Sequence, residues 1–86
     1  MAVTRITPIP ARVRWDRNAD RPGEVRWADR QLTVRSLAAV RDERHAYRPD
    51  RGPRITMLLD ADGGQAVLVF DAVRRRWYLE GLDPAA

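Results

Sequence analysis

The sequence contains no cysteine and no lysine, only one histidine and one serine, and no long run of apolar residues. Without cysteine, neither disulfides nor thiolate zinc sites can form. No stretch approaches the roughly 20 apolar residues that a membrane-spanning helix needs. The first ten residues also lack the apolar core of a signal peptide. The cytoplasm is therefore the expected compartment, and no metal or other cofactor is expected.

The charge of the chain is basic and unevenly distributed. All sixteen basic residues are arginine, a bias that we attribute to a GC-rich genome, and twelve acidic residues leave a net charge of +4. Residues 1–54 hold thirteen arginines and seven acidic residues, so the basic character belongs to the first two-thirds of the chain. A basic balance of this kind points to nucleic acid or to an acidic protein surface as the partner.

Alternation of apolar and charged residues predicts β-strands. From Ala11 the apolar residues Ala11, Val13 and Trp15 alternate with Arg12 and Arg14, which is the period of a strand with one buried face. Segments rich in strand-forming residues recur along the chain, and the predicted strands are residues 11–15, 24–27, 31–35, 54–59, 66–71 and 77–82. Two of these, residues 54–59 and 66–71, are apolar on both faces, which is typical of central strands covered on both sides.

Residues 36–47 have two possible structures. A helix could begin with Ser36 as its N-cap and place Leu37, Val40 and Arg44 on one side. The acidic residue that would complete a capping box three positions later is absent. The favoured alternative is a bent strand that continues to about Arg41.

The sequence therefore predicts a mostly β protein: a single antiparallel sheet of five to six strands with at most one short helix. The sheet is expected to curl into a small open barrel or to be covered by residues 36–47. Residues 1–10 are expected to be an extended lead-in because Pro8 and Pro10 disfavour helix; residues 11–82 form the β domain, and residues 83–86 a polar tail. The predicted core is Val13, Trp15, Val25, Trp27, Leu32, Val34, Met57, Leu59, Val67, Val69, Phe70, Trp77 and Leu79.

No catalytic or metal-binding signature is present. Ser36 and His45 are nine residues apart without a nucleophile elbow, and His45 lies in a charged run typical of a solvated loop. Asp60 and Asp62 begin a segment similar to a calcium loop, but Gln65 occupies the position of the required glycine. A plain hairpin turn is the better interpretation. We therefore expect a protein that is not an enzyme.

Nucleic-acid binding is the sharper hypothesis. In the register above, outward-facing arginines gather on the first strands, and three consecutive arginines form a basic tip on the last hairpin. The candidate binding residues are Arg12, Arg14, Arg26, Arg35, Arg74, Arg75 and Arg76. Such a face could follow a phosphate backbone. The competing interpretation is a solvated sheet face, because antiparallel sheets place charges there. The alternative function is that of a protein-interaction domain that recognises an acidic surface of its partner.

Two segments resemble a known family. The hairpin VRWADRQLTV at residues 25–34 resembles the form aromatic-x-Trp-x-Gly-Arg-x-aromatic-x-Val, with Ala28-Asp29 where members often have Arg-Gly. Residues 69–71 and 77–79 resemble a closing Phe-Asp…Trp-x-Leu hairpin. Both occur in a family of small actinobacterial β domains of unknown function, which stand alone or follow proteins similar to inactive Y-family DNA polymerases. The resemblance implies an accessory role near DNA repair and no catalytic residue.

Overall fold

Strand is the only regular secondary structure in the computed structural model, which describes residues 3–45, 49–50 and 52–83. Six strands follow one another in the chain: β1 (Thr4–Asp16), β2 (Arg21–Trp27), β3 (Arg30–Asp42), β4 (Arg54–Ala61), β5 (Gly64–Asp71) and β6 (Arg76–Leu82). Each pairs antiparallel with the next, and β1 also pairs with β6, so the sheet closes into a barrel. The predicted fold class is confirmed.

The two longest strands, β1 and β3, make the closure possible. The first half of β1 pairs with β6 and its second half pairs with β2. In the same way β3 pairs first with β2 and then with β4. The strand β1 begins at Thr4, so Pro8 and Pro10 belong to it, whereas the sequence predicted a strand only from Ala11. Proline is tolerated here because, among the described residues, this half of β1 has a strand partner on one side only.

The ambiguous middle segment is strand, as favoured. Residues 36–42 pair with β4 from Ser36 opposite Asp60 to Asp42 opposite Ile55, with bulges on the way. The helical alternative does not occur, because pairing with β4 satisfies the backbone groups that a helix without a capping box would leave open at its start. The last two residues of the segment, 46 and 47, lie outside the described residues.

The core fills the inside of the barrel. Its buried residues come from β2 to β6: Val25, Trp27, Leu32, Val34, Met57, Leu59, Ala66, Leu68 and Leu79. Val13 and Trp77 pack against this cluster and are half-buried. On β5 the inward residue is Leu68, which is fully buried, and not the predicted Val67, which is half-buried.

The opposite face of β5, which its apolar sequence predicted to be covered, is covered at Val69 and only partly covered at Val67. Val69 is only 2% exposed and lies between Thr56 of β4 and Tyr78 of β6. Above it, Arg54 reaches from β4 across β5 to Glu80 of β6, with 2.8 Å between Nη2 and Oε1.

The described part of the chain contains no helix with the length and apolar composition to span a bilayer.

The prediction that Trp15 belongs to the core is wrong. Its side chain is 43% exposed. Trp15 lies one residue from the end of β1, beside a β-bulge in β2: Arg14 pairs with Glu24 but Trp15 pairs with Pro22, so Gly23 is left without an opposite residue. A bulge bends the strand that contains it and increases the local twist.

Candidate nucleic-acid interface

A groove forms where two hairpin tips approach β1 from opposite sides. The end of β2 contributes Arg26, and the start of β6 contributes Arg76. Arg12 pairs with Arg26 on one side, and on the other side Ala11 pairs with Trp77, which places Arg76 next to Arg12 in register. The groove has a volume of about 850 Å³ and is lined by Pro10, Ala11, Arg12, Val13, Arg26, Trp27, Ala28, Arg75, Arg76 and Trp77.

Two smaller depressions continue this groove along the β1–β2 hairpin. The first, of about 210 Å³, shares Arg12, Val13 and Arg26 with the main groove. The second, of about 360 Å³, shares Arg14 and Glu24 with the first. Together they form one open surface, which we call the arginine track. Its arginines are Arg12, Arg14, Arg17, Arg26, Arg75 and Arg76.

The arginine track is the basic surface of the described part of the chain. Six arginines and two acidic residues line it. The other described residues include eight arginines and ten acidic residues, and Arg48 and Arg51 lie outside the described residues. Within the described part of the chain, the surplus of positive charge is therefore confined to the track.

The two acidic residues of the track neutralise little of this charge. Asp16 accepts hydrogen bonds from the backbone N–H groups of Asn18 and Ala19 at 3.0 and 3.1 Å, so it caps the turn after β1. Glu24 pairs with Arg26, with 2.7 Å between Oε1 and Nε, and accepts a hydrogen bond from Gln31. The other five arginines of the track make no ion pair with any residue that the structure describes. Their guanidinium groups are available to an anionic ligand.

The basic tip between β5 and β6 is an ordered turn. The carboxylate of Asp71 accepts hydrogen bonds from the N–H groups of Val73 and Arg74 at 3.0 and 2.9 Å. The N–H of Arg75 donates to the carbonyl of Asp71 at 2.7 Å, and Arg75 has a positive φ of 58°. These bonds fix the backbone from which Arg75 and Arg76 enter the track.

The structure brings five of the seven sequence-predicted arginines together and separates two. Arg35 lies elsewhere, where it pairs with Asp62 in the β4–β5 turn. Arg74 does not line the track; the hydrogen bond between its side chain and Tyr78 raises the pKa of Arg74 above its ordinary value. Sequence reasoning missed Arg17, which lies in the turn after β1. Its position could not be inferred because the bulge in the hairpin sets where that turn lies.

The three tryptophans differ in their accessibility to a ligand at the track. Trp27 is 5% exposed, and the guanidinium of Arg30 lies 5.3 Å from its ring centroid. Trp77 is half-buried and packs against Phe70 with 4.9 Å between ring centroids. Trp15, at the opposite end of the track, is the exposed one.

The residues considered for catalysis or metal binding lie in ordinary structural surroundings. The hydroxyl of Ser36 donates a hydrogen bond to Asp60 at 3.1 Å, and His45 is exposed after the end of β3. Asp60 also accepts a hydrogen bond from Gln65, so both residues belong to the β4–β5 hairpin. Among the residues described, no group of three or more His, Cys, Asp or Glu side chains is placed to hold a metal ion.

No protein-family model, curated protein sequence or solved structure matches the chain.

Proposed function

We propose that this protein is a non-catalytic binding module that holds nucleic acid along the arginine track. The observation that supports the proposal is that, among the described residues, the positive excess is confined to this one surface. A solvated sheet face can carry interspersed charges of both signs. A surface that binds a polyanion needs an excess of positive charge.

The arrangement of the arginines suits a phosphate backbone. Neighbouring strands lie about 4.8 Å apart, so Arg26, Arg12 and Arg76 form a row across β2, β1 and β6. Arg14 and Arg17 extend the surface along the β1–β2 hairpin. Each guanidinium that contacts a phosphate releases condensed counterions, and this release supplies most of the affinity of sequence-independent binding.

The biological setting proposed for the module is an accessory role near DNA repair. It rests on the resemblance of the hairpins at residues 25–34 and 69–79 to the actinobacterial family. The same two hairpins supply Arg26, Arg75 and Arg76 to the track. A module that only holds DNA needs no catalytic group, which agrees with the surroundings of Ser36 and His45.

A pair of charge-reversal variants tests the proposed site. The double variant Arg12→Glu/Arg76→Glu changes two residues of the track, and Arg5→Glu/Arg41→Glu changes two arginines of a separate groove that also contains Glu43 and Glu80. Both alter the net charge equally. Fluorescence anisotropy with a labelled oligonucleotide at low salt should show a loss of at least about tenfold for the first variant relative to the second.

Equal losses in the two variants would show that binding follows net charge and not the track. If the unchanged protein binds neither single-stranded nor duplex oligonucleotides, the proposed function is wrong. The alternative partner, an acidic protein surface, would then be the candidate to pursue.

A further inference from the structure

The exposed Trp15 is an unusual feature of the arginine track. A tryptophan normally buries most of its large apolar surface, yet 43% of Trp15 is exposed. Arg14 and Arg17 line the same depression, together with Asp16, which caps the turn, and Glu24, which pairs with Arg26. A partly exposed aromatic side chain therefore lies beside two arginines, at one end of the surface proposed to bind nucleic acid.

The backbone below Trp15 is held by several constraints. Its register partner is Pro22, which is buried and conformationally restricted. Asp16 caps the adjoining turn through two backbone hydrogen bonds. At Gly23, a Cβ would lie 3.2 Å from the Cβ of Asp16, so the absence of a side chain lets the two strands approach. Trp15 thus belongs to an ordered hairpin, and little order would have to be gained on binding.

We propose that Trp15 is a stacking platform for an unpaired base, so that the ligand of the arginine track is single-stranded nucleic acid. This inference rests on the proposed function. In a duplex the base faces are covered by their neighbours, so only phosphates and the base edges in the grooves are available, and no base face is free for an aromatic ring. In a single strand a base can lie on the indole of Trp15 while the adjoining phosphates contact Arg14 and Arg17. The other tryptophans do not offer this: Trp27 is buried, and Trp77 is half-buried against Phe70.

The test compares Trp15→Ala and Trp15→Phe with a control, Val40→Ala, which truncates an exposed apolar residue on β3 away from the track. Each variant is titrated with a single-stranded oligonucleotide, with its duplex, and with a single strand of abasic residues. Trp15→Ala should weaken single-strand binding about five- to 150-fold, the range that corresponds to the stacking of one base. Duplex binding should be unchanged. Trp15→Phe should retain most of the affinity because it keeps a ring.

Tryptophan fluorescence gives a second readout. Single-stranded oligonucleotide should quench the emission of the unchanged protein, and Trp15→Phe should lose most of that quenching while still binding, since Trp27 is buried and Trp77 is half-buried. The abasic strand keeps the phosphates but has no base to stack, so it should bind more weakly than the normal strand and cause less quenching.

Three outcomes would overturn the inference. If Trp15→Ala loses the same affinity for single strand and duplex, or loses no affinity for either, no base stacks on Trp15. In that case the proposed function would still stand if Arg12→Glu/Arg76→Glu weakened binding. A lowered melting temperature in Trp15→Phe together with lost affinity would indicate a structural role. Absence of any oligonucleotide binding by the unchanged protein would refute both the inference and the proposed function.

Discussion

Leu68 and Val67 are neighbours on β5 whose side chains lie on opposite faces of the barrel. Leu68 is fully buried inside, opposite Met57 and Leu79 on the flanking strands. Val67 is half-buried outside, opposite Leu58 and Gly81. Truncating each to alanine should therefore separate the contributions of the two faces to the free energy of unfolding.

The expected magnitudes follow from burial. Leu68→Ala removes three buried carbons, at about 0.8 kcal/mol each, and leaves a cavity, so its total cost should be about 3–4 kcal/mol. Val67→Ala removes two carbons that are partly hydrated already, and should cost about 1 kcal/mol. For a domain of this size, the first loss lowers the melting temperature by roughly 12–30 °C. Leu68→Val, with one methylene fewer, should lie between them at about 1–1.5 kcal/mol.

Urea denaturation, followed by circular dichroism, measures these differences. The slope of the unfolding free energy with urea should stay constant, which identifies a change in stability and not in the surface exposed on unfolding. If Val67→Ala destabilised the protein as much as Leu68→Ala, the inward phase of β5 described above would be incorrect.

Three further predictions concern other parts of the barrel. Trp77→Ala should cost about 3 kcal/mol, because it removes a ring packed on Phe70, and an unchanged melting temperature would contradict that packing. Gly81→Ala should cost about 1–3 kcal/mol in urea denaturation, since a Cβ would lie 2.8 Å from a methyl carbon of Val3 and 3.0 Å from one of Val67. If these contacts are the cause, adding Val3→Ala should recover part of the loss. Hydrogen bonds from the side chain and backbone of Arg44 lower the pKa of Asp42 from 3.8 to about 2. NMR titration should find this value, and in Arg44→Ala the pKa should return towards 3.8. The stability that this pair contributes is present above the ordinary pKa and is lost as the pH falls through about 2.

The fold was largely predictable because its signal is local. Alternation at residues 11–15 and apolar runs such as 66–71 report directly on which strand faces are buried. The strand content of residues 36–42 was favoured for a similar local reason, the missing capping box. Closure of the barrel depends instead on β1 pairing with β6 across most of the chain, and on the bulges that let long strands bend. Local patterns contain little information about either.

The candidate site was predictable only in part for the same reason. Arg12, Arg14 and Arg26 were found because strand alternation places them outward. Their proximity to Arg75 and Arg76 depends on the β1–β6 pairing, and Trp15 is exposed at the end of β1 beside the bulge at Gly23, which strand alternation does not indicate. A glycine within a strand pattern can mark such a bulge, but the Asn, Asp, Pro and Gly residues of segment 16–23 are typical of a loop, and this composition masks the signal of Gly23.

The salt dependence of oligonucleotide binding tests the central claim most directly. Anisotropy titrations of the unchanged protein with a single-stranded oligonucleotide, repeated over a series of salt concentrations, give the slope of log K against log salt. If four to six arginines of the track contact phosphates, that slope should be roughly −3 to −4. A slope near zero, or no measurable binding at the lowest salt, would contradict a phosphate-binding track.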